Sequence, residues 1–319
     1  MKKIRVGVLF GGMSAEHEVS LASARNVIKA LNKKKYQVVE IKISKNGRWN
    51  KSKLRNVDVV FPVLHGTYGE DGTIQGLLKL EGMPFVGAGV LGSSVGMDKD
   101  VMKRLLRDAG IPIGKFLVNE KDFGVVKKEF GLPVFVKPAN LGSSVGVSKA
   151  FNKNQFEKAF KLAREYDSKV VIEEFIDGRE IECSVLGGDN VKASVPGEVI
   201  PQHEFYSYEA KYIDEDGALL EIPAKLSKSL IKKVQDLAIK TFKVLECHGL
   251  ARVDFFLKGQ KVIVNEINTL PGFTNISMYP KLWEASGLSQ TKLVDELIKL
   301  ALKRGNVESK LKTFYESKN

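Results

Sequence analysis

An α/β chain is predicted, with an amino-terminal unit built on a parallel sheet and α+β modules after it. Three observations predict this. Over residues 1–97 short apolar runs alternate with helical stretches; after Asp98 the strands become period-two and gather around single helices; near the carboxyl end a long helix precedes a hairpin pattern. The 319 residues suit two or three packed units, and three are expected, over 1–97, 98–182 and 183–319.

Ile4 to Phe10 reads as a buried strand, ended by Gly11-Gly12, and a helix follows over about Val19 to Asn32. Strands are expected at Val38–Ile43 and Val57–Leu64, a helix at Thr73–Glu81 and a fourth strand at Pro84-Phe85-Val86. Ligands of an open parallel sheet gather at the carboxyl ends of its strands, the edge where Glu16 and His65 fall. The next helix runs from Asp98 to Ala109 and stops at Gly110, with Pro112 beyond. Strands then read at Phe116–Val118, Val134–Lys137, Val145–Val147 and Val170–Glu173, with a helix at Asn154–Tyr166 before the last. From Ile181 the chain is again strand-rich. A polar loop over 202–217, expected to be mobile, leads to a helix at Leu226–Cys247, a hairpin at Leu250–Asn268 and a helix near Gln290–Lys303.

Composition narrows the function classes. Hydrophobic residues make up 43% and charged residues 28%, enough for a core and too apolar for bulk disorder. Cys183 and Cys247 are the only cysteines, so no disulfide framework is expected and a reducing compartment fits. Arg5 and Gly11-Gly12 interrupt the first apolar run before it could serve as a leader, and no apolar run reaches membrane-spanning length. A cytoplasmic location with no membrane partner is expected. The net charge of +12 comes from lysines spread over helices and the carboxy-terminal tail, without an aromatic-basic stripe. That argues against nucleic acid and suits either the attraction of small anionic substrates or plain solubility.

Gly87-Ala88-Gly89-Val90-Leu91-Gly92 has the G-x-G-x-x-G spacing, but no acid stands at the tip of the next strand to meet a ribose. Glycines closing a junction between units explain it better, and no Walker A sequence occurs. Val136-Lys137-Pro138 running into Asn140-Leu141-Gly142-Ser143-Ser144-Val145-Gly146 is a stronger signal. Small residues let backbone amides approach an anion, hydroxyls add donors and Lys137 adds a point charge. Taken alone, the stretch fits a ligand-free glycine hairpin equally well.

In Leu250–Leu257, Arg252 and Asp254 share a face; in Val262–Asn268, Glu266 and Asn268 share one. A hairpin with a loop of about three residues, Lys258-Gly259-Gln260, sets Asp254 opposite Glu266. Oxygen-only donors select a hard cation, magnesium or manganese, completed by phosphate oxygens and water. On spacing alone a solvated hairpin face carrying an Arg–Asp pair stays open. Together, the lysine loop and the carboxylate hairpin indicate nucleoside triphosphate chemistry on a scaffold other than the P-loop.

With these motifs go Gly11-Gly12-Met13-Ser14-Ala15-Glu16-His17-Glu18-Val19-Ser20, His65-Gly66, Gly69-Glu70-Asp71-Gly72, Met97-Asp98-Lys99, Tyr208-Glu209-Ala210-Lys211-Tyr212 and Glu266-Ile267-Asn268-Thr269-Leu270-Pro271-Gly272. In this order the chain resembles the ATP-grasp superfamily and, within it, the D-alanine–D-alanine ligase family, over nearly its whole length. The resemblance implies an ATP-grasp architecture whose two α+β subdomains clasp ATP. It implies ATP-driven joining of two D-alanines through an acyl phosphate for peptidoglycan precursors, with Mg2+ or Mn2+, two ions per site, and a homodimer.

By the same resemblance Lys99 and Lys137 hold the α- and β-phosphates, and Lys211 reaches the γ-phosphate. Ser144, Glu173, Glu174, Ile176 and Glu180 border the nucleotide, with Glu173 and Glu180 meeting adenine and ribose. Asp254, Glu266 and Asn268 hold metal. Glu16 anchors the first substrate's ammonium and bonds Ser143 and Tyr212, closing the loop over the site. His65 neighbours that substrate, Arg252 and the Gly272 amide stabilise the oxyanion, and Ser277 meets the second substrate's carboxylate. Tyr212 implies D-alanine rather than D-lactate as the nucleophile. Asn140-Leu141 departs from the basic–acidic pair many members carry there. Two rival readings stand beside it: a ligase for other substrates, which does not need Glu16, Tyr212 and Ser277 together, and a non-catalytic nucleotide-binding or nucleic-acid-binding protein.

Overall fold

The computed structural model describes residues 2–201, 218–313 and 315, and all that follows concerns these. The chain begins β1 (Ile4–Gly11), α1 (His17–Ala30), β2 (Tyr36–Ile43), β3 (Val59–Pro62), α2 (Thr73–Leu80), α3 (Val90–Met97) and α4 (Lys99–Asp108). The three strands form a parallel sheet in the order β2-β1-β3, with the apolar run Val6–Leu9 at its centre and fully buried. The expected fourth strand shrinks to a single bridge, Val60 with Phe85. Pro84 has no N–H to extend the pairing, and the Phe85 and Gly87 carbonyls are taken at 2.7 Å by the Arg304 guanidinium.

The second sheet is antiparallel, β4-β7-β5-β6, from β4 (Phe116–Val118), α5 (Phe123–Phe130), β5 (Val134–Pro138), β6 (Ser148–Ala150), α6 (Lys153–Tyr166) and β7 (Val170–Glu174). Val134 and Val136 of β5 pack against Phe156 and Phe160 of α6. The strand expected at 145–147 does not form: β6 starts at Ser148. Ser143 and Ser144 have left-handed φ of 55° and 59° and Gly146 has 71°, and such residues cannot enter a β ladder.

The third sheet takes β8 (Arg179–Gly187), β9 (Val191–Ala193), β10 (Gly197–Pro201), β11 (Ala218–Glu221), then, after α7 (Lys228–Val244), β12 (Gly249–Lys258) and β13 (Lys261–Asn268). Its order is β11-β10-β8-β12-β13, with β9 beside β8. The expected division at 182/183 falls inside β8. The hairpin pairs Asp254 with Glu266, around a two-residue turn, Gly259-Gln260, rather than three; a bulge follows Asp254.

Two helices close the chain, α8 (Met278–Ala285) and α9 (Gln290–Glu308). Leu293, Val294, Leu297, Ile298 and Ala301 of α9 pack with Val59 and Phe61 of β3 and with α1, so the carboxyl end seals the amino-terminal sheet. Leu297→Ala would cost about 2–5 kcal/mol. The G-x-G-x-x-G segment lies at this junction: a Cβ on Gly92 would stand 2.6 Å from the Glu246 carbonyl, so glycine is required there for close packing, as the sequence suggests. Among the described residues no helix is long and apolar enough to cross a membrane.

Candidate active site

Two cavities, of about 600 and 230 Å3, adjoin where the three sheets meet, and Lys99, Ser143, Glu180 and Glu266 line both. The smaller is bounded by Lys137, Ser144, Glu173, Glu174 and Ile176. The larger is bounded by Glu16, His65, Arg252, Gly272 and Ser277, together with Asp254, Glu266 and Asn268. Lys211 and Tyr212, with the rest of 202–217, lie outside the described residues.

The smaller cavity is lined by three lysines, Lys99, Lys137 and Lys149, beside the acids Glu173, Glu174, Asp177, Glu180 and Glu266. Asp98 caps α4, its Oδ1 accepting the Asp100 and Val101 N–H groups at 3.1 Å, and Lys99 is the first helical residue. The ammonium thereby adds to the partial positive charge of a helix start. Its Nζ donates to the Leu141 carbonyl at 2.8 Å and stands 3.8 Å from Glu266 Oε2. Lys137 on β5 pairs with Glu173 on β7 at 2.5 Å, and the second Glu173 oxygen is 3.0 Å from Lys103 Nζ on α4. Burial opposes the charged form of Glu173, but the two ammonium groups outweigh it and hold its carboxyl down at about 2. Glu173 is buried. Glu174 accepts the Lys115 backbone N–H at 2.7 Å. Asn140 anchors the serine turn through two bonds to Asp167, at 2.8 and 2.9 Å.

In the larger cavity, Glu16 precedes α1 at the carboxyl edge of the parallel sheet, and Ser143 Oγ donates to its Oε1 at 2.5 Å across 127 residues of sequence. A Cβ on Gly66 (φ +74°) would stand 2.5 Å from the other Glu16 oxygen, so glycine keeps that carboxylate in place. His65 Nδ1 lies 3.0 Å from the Leu270 carbonyl, which can only accept, so Nδ1 carries the proton and Nε2 takes one from Ser23 Oγ at 2.9 Å. Burial pushes the imidazole pKa down, in keeping with this neutral ring. The half-buried Glu70 accepts the Gly66 N–H at 2.8 Å; loss of water, then the Glu16 charge, push its carboxyl up to about 8. Ser277 opens α8 and shares a 2.7 Å bond with Thr274.

On the hairpin, Arg252 donates through Nε and Nη2 to the two Asp254 oxygens, both at 2.7 Å, and its Nε is 2.9 Å from Glu182 Oε2. Asn268 Nδ2 donates to Asp254 at 2.9 Å. Asp254 pairs in register with Glu182 on one side and Glu266 on the other, a row of carboxylates across three strands. Among the described residues no three His, Cys, Asp or Glu side chains gather as a metal cluster. Two acids and an amide offer oxygen donors alone, which fits a hard cation sharing its shell with phosphate and water.

Sequence reasoning missed Lys103, Glu182 and any role for Glu70. Two had a signal: Lys103 follows Lys99 by four residues on a helix, and Glu182 follows Glu180 by two on a strand.

The D-ala D-ala ligase C-terminus family matches residues 105–299, and the D-ala D-ala ligase N-terminus family matches 5–56 and 50–88. A D-alanine–D-alanine ligase of Oceanobacillus iheyensis is 48% identical over 362 aligned positions, covering 98% of this chain and 99% of that one. Among solved structures, the D-alanine–D-alanine ligase of Coxiella burnetii superposes with a TM-score of 0.88 at 39% identity, covering 97% of each chain. The Bacillus anthracis ligase complexed with ATP superposes at 0.81 with 32% identity, covering 96% of this chain and 99% of that one. With both ends of the chain matched and its sheets superposed on these enzymes, the protein belongs to the ATP-dependent D-alanine–D-alanine ligase family.

Proposed function

We propose that this chain joins two D-alanines to D-alanyl-D-alanine at the expense of ATP, yielding ADP and phosphate for peptidoglycan precursors. One observation carries the reading: a cavity into which Lys99 and Lys137 converge and a cavity offering both a carboxylate and a guanidinium share the wall formed by Lys99, Ser143 and Glu266. A triphosphate held on one side can there meet the carboxylate of a zwitterion held on the other.

Lys99 and Lys137 hold the α- and β-phosphates, with Lys211 from the loop reaching the γ-phosphate. Ser144, Glu174, Ile176 and Glu180 border the nucleotide, and Glu173 does so while anchoring Lys137. Glu16 takes the ammonium of the first D-alanine, beside the His65 ring. The carboxylate oxygen of that D-alanine attacks the γ-phosphorus, the bond to ADP breaks, and an acyl phosphate forms. The amine of the second D-alanine, its carboxylate held by Ser277 at the start of α8, then attacks the acyl carbon. Arg252 and the Gly272 amide stabilise the oxyanion, and phosphate leaves with the oxygen it took from the first substrate. Ser143, bonded to Glu16, helps keep water from the acyl phosphate, a part that the reading also gives to Tyr212, outside the described residues.

Asp254, Glu266 and Asn268 would hold magnesium or manganese, two ions with the nucleotide, whose charge offsets that of the phosphoryl group in transfer. Three units, 1–97, the segment leading up to β8 and the segment from β8 onward, assembly as a homodimer and a cytoplasmic location belong to the same reading; nucleic acid has no part in it. Phosphate release measured with ATP, magnesium and D-alanine as sole amino acid tests it. Release that depends on D-alanine is expected, and its absence removes the reading. Light scattering tests the dimer.

A further inference from the structure

Lys103 lies on the buried face of α4 at 2% exposure, a position where packing alone would place leucine or methionine. Lys99, one turn earlier, shares that face, and like charges four residues apart weaken a helix. A buried ammonium is costly unless paired. Its partner is Glu173 Oε1 at 3.0 Å, and Glu173 Oε2 in turn meets Lys137 Nζ at 2.5 Å. The three groups link α4 to β7 and β5. One carboxylate between two ammonium groups leaves a single net positive charge beside the smaller cavity. Without Lys103 the Lys137–Glu173 pair would be neutral, and Glu173 would lose the contact that fixes it on the side away from Lys137.

We propose that Lys103 is a positioning residue for the nucleotide: through Glu173 it fixes Lys137 and keeps the cluster cationic toward the phosphates. The proposal rests on the assignment of Lys137 to the phosphates in the ligase reading and extends it to a residue that does not touch substrate. The remaining contact of Lys103, its Nζ 5.8 Å from the Phe116 ring centre, is an apolar wall that holds the ammonium but does not neutralise it.

The test is calorimetric titration of Lys103→Met with ADP and magnesium, without D-alanine, alongside KM values for both substrates and a melting curve. ADP affinity is expected to fall about tenfold or more, KM for ATP to rise in parallel and KM for D-alanine to stay within about twofold. A purely structural lysine would lower the melting temperature and leave the folded protein's ADP affinity unchanged; that result overturns the proposal. Lys103→Arg keeps the charge and a donor for Glu173, and it serves if the methionine variant does not fold. It should bind ADP within about threefold of the unmodified protein, and a loss as large as tenfold contradicts the proposal. Because ADP binding is read without turnover, failure here is distinct from failure of the ligase reading, which shows as absent phosphate release in the unmodified enzyme.

Discussion

The two cavities are built on different principles. Around the smaller one, Lys103, Lys137 and Glu173 form an ion cluster on adjacent strands and one packed helix. It is set by strand pairing and burial, with no substrate needed to hold it. Around the larger one, Glu16, Ser143, Arg252 and Ser277 come from all three sheets and from α8, and their geometry depends on packing between distant parts of the chain. The Glu16–Ser143 bond is the clearest case, 127 residues apart in sequence. One cavity thus has its lysines preset by local pairing, while the other is assembled by the fold as a whole.

This difference can be broken or sharpened. The largest effect is expected at the shared wall: Glu266→Gln should cut turnover by at least about 10²-fold while the melting temperature stays close to that of the unmodified protein; near-full activity would remove the metal assignment. Arg252→Met should lower kcat by about 10²-fold with ADP affinity unchanged, since the guanidinium belongs to the larger cavity alone; a parallel loss of ADP binding would merge the two sites. Ser143→Ala removes a charge-assisted hydrogen bond and should cost about tenfold in kcat/KM for D-alanine, as steady-state kinetics will read out; an unchanged value would remove the link to Glu16.

The smallest effect concerns pH. Glu70 has a folded-state pKa of about 8, above that of an unfolded carboxyl, so its contribution to stability is fully present at low pH and is lost as pH rises toward and through 8. Melting curves of the nucleotide-free protein from pH 5 to 8 should therefore decline less steeply in Glu70→Gln; identical slopes would show that Glu70 is not held protonated.

How much of this was legible in the sequence follows the same divide. The Asp254–Glu266 register could be read because period-two alternation and a glycine turn fix a hairpin locally. Lys137 could be read from its strand and glycine-serine turn. The turn itself was misread at 145–147, since alternating valines look like a strand until two serines adopt left-handed φ. Helix α8 was not anticipated because Pro280 lies in its first turn, where proline is tolerated but reads as a break. Lys103 shares the Lys99 face of its helix, but what makes it more than a surface lysine, the buried carboxylate on β7, lies 70 residues later. The juxtaposition of Glu16 and Ser143 followed from family resemblance, not from local pattern.

The central claim is that a carboxylate held in the larger cavity attacks a triphosphate held in the smaller one across their common wall. D-Alanine labelled with 18O in its carboxyl group, incubated with ATP, magnesium and the protein, tests it by mass spectrometry of the inorganic phosphate. Phosphate carrying one 18O, formed in step with the labelled dipeptide, is the predicted result. Unlabelled phosphate would mean that water, not the substrate carboxylate, takes the phosphoryl group, and would contradict the account.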